Sequence, residues 1–253
     1  MSLVDLHVHT NYCDGKDSPE EVVLSAIEKG LSTIGLLAHS YTPFDEPACI
    51  ALDKIDEFVN EVNRLKVKYA DKIKVLCGVE QDYYSTTPTD CFDYVIGSVH
   101  YLYKDGEYLS VDETEELTVK AVKEHFNGDW YAFTSAYFIA VKNVVKRTGA
   151  DIIGHFDLVR KFNEGNKYFD IDDERYLATA FEAIDALVKE NKPFEINTGR
   201  LKSGKAQEPY PSKKLVEYIL DKGGKFVLSS DAHDKDGLAY SFIKYQDLVK
   251  DKN

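Results

Sequence analysis

Seven short apolar runs recur along the whole chain and constrain its fold more than any other feature: LVDLHVH, TIGLLAH, IKVLCGVE, YVIGSVH, DIIGHF, PFEINT and KFVLSSDAH. A strand that is apolar at nearly every position is covered on both faces, which is the situation in a parallel sheet wrapped by helices. Amphipathic stretches separate the runs, over 18–30, 50–70, 112–126, 129–148, 173–191 and 212–222. In DSPEEVVLSAIEKG, Ser18 can cap a helix, Pro19 suits its first position, Glu21 completes a capping box and Gly30 can end it. Strand and helix alternate seven times, which predicts an α/β protein and a barrel in preference to an open sheet. The connection between the fourth and fifth runs holds two predicted helices and is the least regular.

A chain of 253 residues with 43% hydrophobic content can bury a sizeable core, and no Pro-, Ser- or Gly-rich tract divides it. One domain over 1–253 is expected. No charged-then-apolar leader opens MSLVDLHVHT, and no apolar run approaches the length of a membrane span, so a soluble, cytoplasmic protein is expected. Cys13, Cys49, Cys77 and Cys91 lack CxxC spacing and read as reduced thiols. The net charge of −13, with lysines scattered among acids, disfavours nucleic acid as a partner but leaves room for a small anion at a local positive site. Oligomeric state has no signature in the sequence.

Polar residues fall at the C-terminal edges of the seven runs: His7 and His9, His39, Glu80, His100, His155, Asn197, and Asp231 with His233. In a barrel these edges converge on one face, where active sites are built. Only His125 of the seven histidines falls outside the set, and there it suits a helix C-terminus. Side chains alternate along a strand, so His7 and His9 share a side with Asp5, while Leu6 and Val8 face the packed layer. Asp231 and His233 repeat the spacing. Asp5 is expected to orient a ligand histidine, and Asp14 to fold back over the same rim. Imidazoles mixed with carboxylates, without thiolates nearby, suit catalytic zinc, manganese or iron. His7, His9, Asp14, His39, Glu80, His100, His155, Asp231 and His233 are too many ligands for one ion, since a catalytic zinc takes about three protein ligands. Three divalent ions fit the count.

The ordered series DLHVHTNYCDG, LLAHS, GVE, SVH, GHFD and SDAH resembles the PHP (polymerase and histidinol phosphatase) superfamily over nearly the whole chain. YVIGSVHYL, IIGHFDLVRKF and EINTGRLKSGKAQEPYPS are similar to its histidinol-phosphate phosphatases of the HisJ/HisK type. The resemblance implies a distorted (β/α)₇ TIM-like barrel with a trinuclear centre at the C-terminal ends of the strands. It implies His7, His9, Glu80 and Asp231 at the first ion, Glu80, His100 and His155 at the second, and Asp14, His39 and His233 at the third. Many members carry Asp before the second-motif histidine, where this chain has Ala38.

The implied reaction is hydrolysis of L-histidinol phosphate in L-histidine biosynthesis, by a metal-bridging hydroxide attacking phosphorus. Zinc is the first expectation for the ions, with manganese or iron as alternatives. Arg160 and Arg200 follow the fifth and sixth runs and are candidates to clamp the phosphate with their forked donors. Asp231, His233 or a metal-bound water can protonate the leaving alkoxide, and Ser203, Lys205 and PYPS are candidates to shape the pocket. Two other readings use the same residues: a phosphoesterase for phosphotyrosine or a nucleotide fragment, and a catalytically silent metal-binding module.

Overall fold

A computed structural model of the chain describes residues 3–249; residues 1–2 and 250–253, the ends of the expected domain, lie outside the described residues. Seven parallel strands run in the order β1 (Leu3–His9), β2 (Leu31–Leu37), β3 (Lys74–Asp82), β4 (Tyr94–Ser98), β7 (Ile152–Ile153), β8 (Phe194–Asn197) and β9 (Phe226–Ser229). The ring is nearly closed, as a (β/α)₇ barrel requires. β9 meets β1 through its following loop, where His9 N–H donates to the Ala232 carbonyl at 2.9 Å and Ala232 N–H to that of His7 at 3.2 Å. Among the described residues no helix is long and apolar enough to cross a membrane.

The helices between the strands are α1 (Pro19–Glu28), α2 (Ile55–Lys68), α6 (Glu174–Leu187) and α7 (Lys213–Asp221). In α1 the Ser18 side chain accepts from Glu21 N–H while the Glu21 carboxylate takes Ser18 N–H at 2.9 Å, so the capping box is complete. The β4-to-β7 connection is richer than its two expected helices. It opens with an antiparallel hairpin, β5 (Tyr101–Lys104) and β6 (Glu107–Ser110), and continues through α3 (Glu115–His125), α4 (Trp130–Val141) and α5 (Val144–Thr148). The predicted helix at 129–148 is broken because Asn143 turns its side-chain amide onto the Ile139 carbonyl at 2.8 Å, taking over an acceptor of the helical ladder. A short α8 (Phe242–Tyr245) follows β9.

Strict alternation along β1 does not hold. Its pairing with β2 slips between Asp5 and Val8. Val8 packs with Val22, Val23 and Phe58 of the covering helices, whereas Leu6 packs against Leu37, Tyr94 and Ile96. Among the described residues Asp5 bonds no histidine ring, although it takes a backbone hydrogen bond from the ligand histidine His7. Fully buried, it accepts from Ser230 N–H at 3.1 Å and Ala239 N–H at 2.9 Å, and so fastens the loop after β9 to the first strand.

Candidate metal centre

Glu80, near the end of β3, lies at the middle of the strand-end cluster and is buried. Its Oε2 faces His7 Nε2 at 3.2 Å, His9 Nε2 at 3.4 Å and His39 Nδ1 at 3.0 Å. Its Oε1 faces His155 Nε2 at 2.8 Å and His100 Nε2 at 3.3 Å, and accepts from Ser98 Oγ at 2.7 Å. The two oxygens thus address different histidines, the arrangement a bridging carboxylate needs. Burial would raise this carboxyl's pKa, but His7, His39 and His100 outweigh it and hold the group well below the usual range.

Asp231 lies beyond β9, not within it, in a left-handed conformation with φ of 49°. The spacing of Asp231 and His233 is therefore a loop feature and not a strand alternation. Asp231 Oδ1 is 3.4 Å from His7 Nε2 and 3.3 Å from His9 Nε2. Asp14, at the rim, reaches His233 Nε2 at 3.1 Å and stands 3.7 Å from both His9 Nδ1 and His39 Nε2. The rings of His9 and His233 stack, with centroids 4.2 Å apart. Burial and the neighbouring His233 and His39 depress His9 to a pKa of about 3. His233 is pushed up to about 9, because its partners Asp14 and Asp231 overcome desolvation.

These donors fit metal ions by their chemistry. Among the described residues, three groups hold ligand atoms within 4.8 Å of one another: His9, Asp14, His39 and His233; His7, His9 and Glu80; His39, Glu80 and His100. His7 and His9 aim Nε2 atoms at each other at 3.2 Å, as do His100 and His155 at 3.3 Å, a convergence of nitrogens that a shared cation satisfies. Three of the ring nitrogens turned away are held too, whereas His155 Nδ1 is buried without a hydrogen-bond partner among the described residues. His7 Nδ1 is 2.7 Å from Glu195 Oε1, His100 Nδ1 is 3.3 Å from Asp82 Oδ2, and His233 Nδ1 is 3.1 Å from the Asp231 carbonyl. Ala38, at the family's usual aspartate position, is buried in the apolar cluster under α1 and α2.

The centre opens into a cavity of about 480 Å³ whose lining also includes Leu158, Lys161, Phe162, Arg200, Lys205 and Tyr210. Arg200 donates from Nη1 to the Arg160 carbonyl at 2.9 Å and the Tyr210 hydroxyl at 3.0 Å, and from Nη2 to Glu164. Arg160 is not among the lining residues. Its buried guanidinium donates from Nε to Asp157 at 2.6 Å and from Nη2 to the Pro209 carbonyl, below the Tyr210 ring. Its neighbour Lys161 faces the cavity instead, paired with Asp112 at 3.1 Å. Ser203 also lines the cavity, whereas His125 lies apart, beside Asp105 at 3.2 Å. Sequence reasoning passed over Glu195, Asp82 and Lys161. An acid two residues before Asn197, on the same side of β8, was the available signal for Glu195.

Residues 5–199 match the PHP domain family. The chain belongs to that family. Among its PHP relatives, a protein of Deinococcus radiodurans named a probable histidinol-phosphatase is 29% identical over 264 residues, covering 98% of this chain and 92% of that one. The histidinol-phosphatase of Lactococcus lactis is 28% identical over 265 residues, covering 99% and 91%. Two solved structures share the fold. A Listeria monocytogenes protein assigned as histidinol phosphatase HisK superposes with a TM-score of 0.83 at 24% identity, over 96% of this chain and 99% of the other. Histidinol phosphate phosphatase of Lactococcus lactis, complexed with zinc, L-histidinol and phosphate, gives 0.71 at 24% identity, over 98% and 92%.

Proposed function

We propose that this PHP chain is a metal-dependent phosphoric monoester hydrolase that cleaves L-histidinol phosphate to L-histidinol and phosphate. The observation that carries the reading is one cavity lined both by Lys161, Arg200 and Lys205 and by the imidazole and carboxylate cluster. The names of the relatives, and the zinc, L-histidinol and phosphate of the Lactococcus lactis structure, point the same way. Three divalent ions, zinc first and manganese or iron as alternatives, are assigned to His7, His9, Glu80 and Asp231; to Glu80, His100 and His155; and to Asp14, His39 and His233. Such ions supply Lewis acidity toward phosphate oxygens and acidify water toward neutral pH.

Lys161 and Arg200 are assigned to the phosphate oxygens, as charged donors lining the same cavity as the centre. Arg160 is assigned a bracing role, because its donors hold Asp157 and the Pro209 carbonyl beneath the cavity floor. Asp231 borders the cavity, and its Oδ2 accepts from Asn197 Nδ2 at 3.0 Å. We assign this carboxylate to carry a proton from the attacking water to the leaving alkoxide. A small charged substrate and free thiols fit a cytoplasmic setting.

The test is phosphate release by metal-assayed protein from histidinol phosphate, phosphotyrosine and a nucleoside monophosphate. A kcat/KM at least about tenfold higher for histidinol phosphate, equivalent to about 1.4 kcal/mol of discrimination, is expected. Preference for either other ester transfers the site to that substrate, and metal binding without turnover revives the silent module.

A further inference from the structure

We propose that Glu195 is a positioning residue that sets which nitrogen of His7 faces the ions and, through its second oxygen, seats His155, so that ligands of two groups are assembled together. The inference rests on the metal-dependent reading of the site.

Glu195 is fully buried in β8. Its Oε1 lies 2.7 Å from His7 Nδ1, and its Oε2 accepts from the backbone N–H of His155 at 3.0 Å. His155 lies past β7, a strand of only two residues, and its N–H takes this carboxylate where a longer strand would offer a ladder carbonyl. With the Glu195 carboxyl oxygen accepting at Nδ1, the ring proton that His7 keeps once an ion takes its Nε2 is the one on Nδ1. That Nε2 is the atom 3.2 Å from both Glu80 Oε2 and His9 Nε2. The influence extends to a third strand end: Asn197 Nδ2 lies 3.5 Å from Glu195 Oε2 and donates to Asp231 Oδ2 at 3.0 Å. One side chain from β8 thus touches His7 in β1 and His155 after β7, and meets Asp231 after β9 through Asn197, although β8 supplies none of the assigned ligands.

Glu195→Gln keeps the shape and removes one acceptor. Whichever way the amide turns, its NH₂ meets a donor, either His7 Nδ1–H or the His155 N–H. The His155 N–H cannot move its proton whereas the His7 ring can, so the amide oxygen stays on His155 and the NH₂ faces His7, whose neutral ring then carries its proton on Nε2 and no longer offers that lone pair to the ions. Full-length wild type and variant are stripped of metal and compared for zinc affinity against a chromophoric chelator and for melting temperature, and their zinc-loaded forms for the His7 ring proton by ¹⁵N NMR. Zinc affinity is expected to fall about 10- to 100-fold, the range for loss of a ligand's hydrogen-bonding partner. The Nδ1–H signature of His7 should disappear with it, and Glu195→Asp, which keeps a carboxylate, should restore part of both. A variant that melts lower yet binds zinc with wild-type affinity overturns the proposal, because Glu195 would then only hold the fold. If Glu195→Gln does not fold, the zinc-loaded wild-type spectrum decides alone, and a His7 ring without a proton on Nδ1 overturns it. Wild type that binds zinc but releases no phosphate from histidinol phosphate overturns the functional reading and not this one; wild type that binds no zinc overturns both.

Discussion

Glu80 shows how much of a centre can hang on one side chain. Five histidines lie within 3.4 Å of its two oxygens, so removing its charge leaves imidazoles converging on nothing that balances a cation. Glu80→Gln is expected to weaken zinc binding by more than about 100-fold, beyond the effect of losing an outer partner, and to abolish phosphate release. His125→Ala, on a residue outside the cluster, should leave both unchanged; equal metal content in wild type and Glu80→Gln, read by elemental analysis, would sink the model. Glu80 was legible because an acid closing an apolar strand has little other reason to be there. Glu195 was only half legible: its spacing from Asn197 gives its side of β8, but its role shows only once its partners His7 and His155 across the barrel are known. Arg160 and Lys161 mark a different limit. They sit at the end of a short 3₁₀ turn, Leu158–Arg160, where no repeat says which neighbour looks inward. Lys161→Ala is expected to raise KM for the phosphate ester about tenfold or more, the scale of one charge-assisted hydrogen bond, with a smaller change in kcat. Arg160→Ala should instead cost about 3 to 5 kcal/mol of stability, because it strands Asp157 in the interior. Steady-state kinetics beside thermal melts separate the two.

At the scale of elements, legibility follows how local the determining interaction is. The α1 boundary could be read from Ser18, Pro19 and Glu21 because a capping box is complete within four residues. The break between α4 and α5 is equally local, but it depends on the rotamer chosen by Asn143, which spacing does not reveal. The hairpin is instructive because its signal was present. Asp105 and Gly106 take φ of 53° and 89°, the left-handed pair a tight hairpin turn demands, and Asp-Gly is a strong sequence sign of it. Barrel packing is the least local. Tyr94 of β4 crosses the interior and donates its hydroxyl to the Leu6 carbonyl at 2.5 Å, and its ring occupies the space left by Gly35 of β2 and Gly78 of β3. A Cβ at either glycine would collide with it. Gly78→Ala is therefore expected to destabilise by about 1 to 3 kcal/mol through overpacking. In a chain of this size that lowers the melting temperature by roughly 2 to 4 °C per kcal/mol. An unchanged melt would mean that Tyr94 does not fill the barrel as described.

For the whole molecule, the seam between the last strand and the first is closed by the same groups that form the centre, so stability, pH and metal must be linked. Asp5 holds the loop after β9, and Asp231 in that loop faces His7 and His9 of β1. Signs follow from the direction of each pKa. Burial opposes ionisation of Glu80 and Asp231, yet their histidines hold both carboxyls below the ordinary 4.5 and 3.8. Their contribution is present above those values and is lost as pH falls. His9, buried and lowered to about 3, also costs stability as pH falls below 6.5, where the unfolded ring takes a proton and the folded one does not. His7, raised against desolvation by Glu195, Asp231 and Glu80, and His233, raised to about 9, act oppositely. Their contribution is full below 6.5 and is lost as pH rises through the folded values. Metal-free protein should therefore be most stable near about pH 6.5 and weaken on either side. Bound ions displace the protons on His7 and His233, so zinc affinity, and with it the stabilisation zinc confers, should grow as pH rises from about 6 to 9. Thermal melts of chelator-treated and zinc-loaded protein across that range test this directly. The gap between the two melting temperatures should widen with pH, and a constant gap would mean that the raised histidines are not where the ions bind.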